Sequence, residues 1–385
     1  MSSPPLLPPQ TPPLSPPPPL LAWLAALRQP ALALAWSLAE WEQVVRLARG
    51  LRLLARLAEA IAAAGLTDQV PAPARRHLLA EQRLSRARIA AVCWTIEGIS
   101  SVLGDTPYPK VLLKGAAYIG QDLDIARGRL PSDLDVLVPK RHIEDAQRRL
   151  LAAGWAEPEL DAHDRRYYHE WGHEVPPMTH PMFQLELDLH HNILPPVGHA
   201  PVDADRLLAC LSASRFSGWQ VLDPVDQVLH SAAHLFFDAE LLDRVRDLVD
   251  LDGLMRHFGR EPTFWDRLPA RALALGLAEP LALALHFAKA WLGTPVPAQA
   301  ERLIQQHGPG ALQRAWLLPL MHAALLPAPP HLRPATGKTL AAKALLLRHH
   351  FRRLPLRLLL PHVWHKWQQA LRPVDADREM PPPRP

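Results

Sequence analysis

The sequence predicts an α+β protein: a small mixed β-sheet core flanked by N-terminal helices and by a mostly helical C-terminal half. Three observations predict it. Capped helical periodicity dominates residues 21–104 and returns from 223 onward. Period-2 alternation and β-branched runs are confined to 105–222. Proline, 43 of 385 residues, crowds the two ends and punctuates the helices without a matching excess of glycine, which stands at 18.

The elements follow in order. Residues 1–20 hold ten prolines, which suit neither a helix interior nor a central strand, so a disordered arm is expected there. Ser37-Leu38-Ala39-Glu40 has capping-box spacing and opens a helix with Trp41, Val44, Val45, Leu47 and Ala48 at helical period. Gly50 interrupts it; Leu51 to Ala64 continues and stops at Gly65. Arg75 to about Ser101 reads as a further long helix after Pro71 and Pro73.

The pattern then changes. Lys110 to Leu113 is a short β-like run, and Lys114 to Tyr118 turns into a brief helix. Asp133 to Val138 reads as a strand, and Arg141 to Ala153 as a helix stopped by Gly154. Arg166–His169, His173–Val175 and Phe183–His190 are three further strand candidates. Helices are expected over 226–258, 264–292, 297–307, 310–325, 339–352 and 356–371, and a disordered tail over 373–385. The chain is too long for one ordinary domain. The division expected is 1–20, 21–104, a core at 105–222, a helical region at 223–372, and the tail.

Composition excludes several classes. Two cysteines, Cys93 and Cys210, cannot staple a fold of this size or hold structural zinc or an iron–sulfur cluster. The proline-rich N-terminus has no basic region and does not read as a secretory signal. The longest apolar stretch, Ala272 to Leu292, is broken by Glu279, Pro280, His286 and Lys289, so no transmembrane segment is expected. A cytoplasmic location is the expectation. Residues 302–374 carry eleven Lys/Arg and no Asp or Glu. Such segregation fits an anionic partner such as RNA, or a solvated basic face on packed helices; the stripe Arg348, Arg352, Arg353, Arg357 is read as the latter.

The sharpest chemical signal lies in 113–138. Asp133 and Asp135, at i and i+2 on a strand, point to one face, while Leu134, Val136 and Val138 point to the other. Adjacent carboxylates repel unless a cation lies between them, and hard Mg²⁺ prefers carboxylate oxygens. Gly115 follows a strand and opens a helix, a turn that aims backbone N–H groups at an anion, with Lys114 beside it. Downstream, Leu185, Leu187 and Leu189 face one way, and Glu186, Asp188 and His190 the other. That strand is either a solvated face or the source of a third carboxylate. His230 and His234 lie one helical turn apart and suit packing against the sheet. The histidines between His163 and His199 lack the organisation of a zinc site. Gly337-Lys338-Thr339 lacks the earlier glycine of a P-loop.

Together these residues resemble the nucleotidyltransferase superfamily of DNA polymerase β. Within it the chain resembles an uncharacterised bacterial family with a Lys-Gly turn, an arginine four residues before Asp-x-Asp, and an acidic-x-His strand. Those positions are Lys114-Gly115, Arg129, Asp133-Leu134-Asp135 and Asp188-Leu189-His190. The Trp41–Ala48 helix, Leu222 to His234, and Arg244 to Leu254 with Asp247 and Asp250 also look similar, so the resemblance covers roughly residues 36–258. The superfamily usually has Ser after the turn glycine; this chain has Ala116.

The resemblance implies Mg²⁺ or Mn²⁺ held by Asp133, Asp135 and Asp188, the three catalytic carboxylates. It implies nucleotide phosphates cradled by Lys114, Gly115, Ala116 and Arg129, with Glu186, His190 and His234 in support. The activity implied is transfer of a nucleotidyl group from an NTP to a small-molecule, peptide or protein acceptor, with release of pyrophosphate. Two other readings stand beside it: an inactive, antitoxin-like scaffold on the same fold, and an RNA-binding protein using the basic 302–374 region.

Overall fold

The computed structural model describes residues 18–197, 201–238, 241–242, 244–327, 336–353 and 359. Helix α1 (Pro18–Arg28) comes first. Proline is tolerated in a first turn, where its missing N–H is not needed. The expected arm therefore loses its last three residues to this helix, which buries Leu20, Trp23, Leu24 and Ala26. Helix α2 (Leu38–Gly50) opens with the expected capping box: the Ser37 hydroxyl accepts from the Glu40 N–H at 3.3 Å, and Glu40 Oε2 accepts from the Ser37 N–H at 2.8 Å. Helix α3 (Leu54–Ala63) starts three residues later than expected, because Leu51–Leu53 form a turn with Arg52 at φ 57°. Helix α4 (Ala72–Leu103) is the longest in the chain's described residues and follows Pro71.

A five-stranded mixed sheet comes next, in the order β3-β2-β1-β5-β4. Strand β1 (Val111–Leu112) is followed directly by α5 (Lys114–Gly120). Strand β2 (Asp133–Leu137) pairs antiparallel with β1. Helix α6 (Ile143–Ala152) ends at Gly154, whose φ of +96° is the left-handed conformation expected of a terminating glycine. It packs on α4 and on β3 (Glu186–His190), which runs parallel to β2.

The segment between α6 and β3 departs from expectation. Arg166–His169 is not a strand. Helix α7 (Ala162–Arg166) runs into a π-helical turn, Tyr167–Trp171. Asp161 caps it by accepting from the Asp164 N–H at 2.8 Å, and Arg166 Nε donates to Glu170 at 2.9 Å one turn on. Those local bonds favour a helix that a four-residue alternation cannot override. His173–Val175 makes only an isolated bridge, Glu174 to His190.

After α8 (Ala204–Leu208), two strands absent from the expectation close the sheet. Strand β4 (Leu211–Ala213) pairs antiparallel with β5 (Gln220–Leu222), which lies parallel to β1. The expected helix 226–258 is two. Helix α9 (Pro224–Ala233) passes into a π-helical turn, His234–Asp238, and α10 (Val245–Phe258) follows. The expected helix 264–292 is also two, α11 (Phe264–Ala274) and α12 (Ala278–Leu292), separated at Gly276, φ +70°. Helices α13 (Ala298–His307), α14 (Ala311–Leu325) and α15 (Thr336–Arg353) complete the described chain. The expected helix 356–371, apart from Leu359, the arm up to residue 17 and the tail 373–385 lie outside the described residues.

One continuous apolar cluster runs from Leu20 through the sheet to Leu345. No helix among the described residues is long and apolar enough to cross a membrane. The basic stripe on α15 is not simply an outer face: Arg348 and Arg352 turn toward Glu279 of α12, at 2.5 Å and 2.9 Å. The side chains of Arg353 and Arg357 lie outside the described residues.

Candidate active site

The parallel pairing of β2 and β3 places Asp135 opposite Asp188 and Asp133 opposite Glu186. Because both strands alternate with period two, the acidic residues of both line up on one face. Leu134, Val136, Leu187 and Leu189 are buried on the other. That packing fixes the register, since a one-residue slip would bury the acids.

The acidic face opens into a cleft of about 350 Å³. It is lined by Asp133, Asp135 and Asp188, by Lys114 and Tyr118 of α5, and by Arg129. His173, Glu174 and His190 form a second wall; Arg52 comes from the turn between α2 and α3, His234 from the π-helical turn after α9, and Arg244, Arg246 and Asp247 from the start of α10. Glu186 is exposed and is not among the lining residues. Gly115 and Ala116 lie buried in the first turn of α5 and do not line the cleft either.

Asp135 is the most heavily engaged acid. Its Oδ1 accepts from Lys114 Nζ at 2.7 Å and lies 3.1 Å from His190 Nε2. Burial alone would raise its pKa, but Lys114 and His190 outweigh burial and hold the carboxyl well below the usual range. The other ring nitrogen of His190, Nδ1, lies 3.2 Å from Glu174 Oε2. With a carboxylate at each nitrogen, the ring holds its proton more tightly than usual: burial opposes this, and Asp135 and Glu174 overcome it. Asp188 has the opposite environment. Burial first, and the charge of Asp135 second, push its carboxyl up to about 7. It makes no ion pair among the described residues.

Arg129 is committed elsewhere. Its Nε donates to Asp250 Oδ2 at 3.0 Å, and Arg56 contacts the other oxygen of the same carboxylate. Its guanidinium also sits 5.3 Å over the Tyr118 ring and against Gly115, where a Cβ would overlap it. Gly115 thus makes room for an arginine as well as for a turn. Gly128, at φ +71°, fits against the Arg56 backbone, where a Cβ would come within 2.6 Å. These contacts clamp α3, the loop before β2 and α10 around Asp250. His234 Nε2 lies 2.7 Å from Arg244, and His230 is buried, with its pKa held well below normal chiefly by burial.

Among the described residues, two sets of ligand atoms lie within 4.8 Å of one another: Asp135, Asp188 and His190, and His173, Glu174 and His190. His190 belongs to both, yet its two nitrogens face carboxylates. Carboxylate oxygens are the donor set that fits a hard divalent cation. Asp133, exposed at the mouth of the cleft, is a further oxygen donor on the same strand. Sequence reasoning missed Glu174, His173, Arg52 and Arg246. Glu174 sits in no regular element and meets His190 through an isolated bridge, which leaves no periodic signal.

A mixed sheet that gathers carboxylates and cations at one cleft is a layout suited to phosphoryl and nucleotidyl transfer. Comparison with protein-family models agrees: residues 37–293 match the family described as uncharacterised nucleotidyltransferase, and the chain belongs to it. No curated protein and no solved structure matches the chain. Family membership supports nucleotidyl transfer as the general activity and an enzyme as the kind of protein.

Proposed function

We propose that the chain is a divalent-metal-dependent nucleotidyltransferase that moves a nucleotidyl group from an NTP to an acceptor and releases pyrophosphate. The observation that carries this reading is the register of Asp135 opposite Asp188 at the cleft, in a chain of this family. Asp133, Asp135 and Asp188 would hold Mg²⁺ or Mn²⁺. When bound, such an ion neutralises phosphate charge and orients the α-phosphate for in-line attack.

The chain's own groups supply the rest. Lys114 and His190 fix Asp135 as an ionised carboxylate. Asp188, opposite Asp135 on the same face of the sheet, accepts the proton of the acceptor as the acceptor–phosphorus bond forms and the bond to pyrophosphate breaks. Lys114, which lines the cleft, offers positive charge to the phosphates. Arg129 holds the Gly115 turn and adds positive charge beneath the phosphates.

One observation favours a second reading: Asp135 has a cationic partner of the chain's own in Lys114, at 2.7 Å. An inactive scaffold would look the same at that atom. The test is incubation with each α-labelled NTP and Mg²⁺ or Mn²⁺, scanning small-molecule, peptide and protein acceptors. Pyrophosphate release or self-labelling that a chelator abolishes supports the enzyme. No release with any NTP and either metal supports the scaffold.

A further inference from the structure

Three non-glycine residues among those described have positive φ: Arg52 at 57°, Lys114 at 45° and Asp122 at 51°. Two of them, Arg52 and Lys114, are cations lining the same cleft. Arg52 lies just past the end of α2. Its N–H donates to the Arg49 carbonyl at 3.0 Å, and the Leu53 N–H donates to the Ala48 carbonyl at 2.7 Å. This pair of bonds is a Schellman closure, and the left-handed position within it usually belongs to glycine. An arginine there bears a conformational penalty that glycine escapes. An observed outlier of this kind points toward a use for its side chain.

The charges of the cleft say what that use is. Lys114 pairs with Asp135, and Arg129 with Asp250. Arg244 and Arg246 both pair with Asp247. Arg52 is exposed, and among the described residues no acidic side chain pairs with it. Asp133 and Asp188 are likewise without ion-pair partners among those residues. The cleft therefore has acids left over for a cation and one arginine left over for an anion. A guanidinium suits phosphate oxygens in particular, because its fork matches them in pairs.

We propose that Arg52 is an anion-binding residue of this cleft that takes the phosphate oxygens of the nucleotide's triphosphate and of the leaving pyrophosphate. This rests on the nucleotidyl-transfer reading of the same cleft. It adds a part that the sheet does not supply, the turn between α2 and α3.

The test compares the full chain with Arg52→Gly and Arg52→Lys, using Mg²⁺–pyrophosphate and Mg²⁺–NTP as calorimetric probes and thermal unfolding without ligand. Arg52→Gly is expected to weaken pyrophosphate binding by about tenfold or more. Its Tm should stay the same or rise, because glycine relieves the backbone. Arg52→Lys should retain part of the affinity. Unchanged pyrophosphate affinity in Arg52→Gly overturns the assignment and leaves the nucleotidyl-transfer reading standing. Weaker binding with a lower Tm makes Arg52 structural and also overturns it. An unaltered chain that binds neither probe overturns both readings.

Discussion

Asp135 and Asp188 stand in register on the parallel β2–β3 ladder, yet the protein neutralises only the first of them. The asymmetry predicts opposite effects from the same substitution. In metal-free protein at pH 8, Asp188→Asn removes a half-buried like charge beside Asp135 and should raise Tm. Asp135→Asn leaves Lys114 without its partner and His190 with Glu174 alone, and should cost about 3–5 kcal/mol. Added Mn²⁺ should raise the Tm of the unaltered protein and leave that of Asp188→Asn unmoved. Thermal unfolding with and without Mn²⁺ checks all three.

The contact between Gly115 and Arg129 gives a second prediction. A methyl group on Gly115 must displace a guanidinium that is bound to Asp250 and stacked near Tyr118. Gly115→Ala should destabilise the fold by about 1–3 kcal/mol. It should also reduce NTP turnover, because Lys114 is the adjacent residue. Urea denaturation and steady-state kinetics of the variant measure the two effects.

Stability should fall in acid through a group that does not line the cleft. The Trp291 indole N–H donates to His322 Nδ1 at 2.9 Å, and burial first, with His286 second, pushes the His322 pKa from 6.5 down to about 4. Between those values the unfolded chain binds a proton that the folded chain refuses. The unfolded state then holds more protons, so stability declines as pH falls through that window. His322→Gln keeps an acceptor for Trp291 and removes the titration. Its Tm should decline less steeply between pH 7 and pH 4.5; equal slopes would contradict the assignment.

The N-terminal boundary can be placed by truncation. Leu20 is 1% exposed in the first turn of α1. A chain beginning at Leu21 should lose about 1.5–3 kcal/mol of stability, the scale of one buried leucine. A chain beginning at Ser15 keeps that turn and should melt with the full-length protein.

The site's scaffold was legible where side chains repeat with period two. Alternation puts Asp133 and Asp135 on one face of their strand and Glu186, Asp188 and His190 on one face of theirs, and the parallel register of β2 and β3 brings the two sets together. Choosing between Glu186 and Asp188 needed the resemblance, because alternation treats them alike. Ser37 and Gly154 announced their helix ends because caps are local chemistry. Strands β4 and β5 escaped notice because each is three residues long and is held by its neighbours rather than by its own pattern. The Arg166–His169 segment misled because a short alternation yields to a capped helical turn. Asp250 was visible only as part of a similar segment, since its role comes from Arg56 and Arg129, far away in the chain.

The central claim is that metal-dependent nucleotidyl transfer runs through Asp188. The most direct measurement is single-turnover label transfer from an α-labelled NTP, with Mg²⁺, by the unaltered protein, Asp188→Asn and Glu186→Gln. The unaltered protein should transfer label, and Glu186→Gln should remain close to it. Asp188→Asn should lose at least about 2–4 kcal/mol of transition-state stabilisation, the scale of a key electrostatic group. Label transfer by Asp188→Asn at the unaltered rate, or the two variants in the reverse order, would contradict the account.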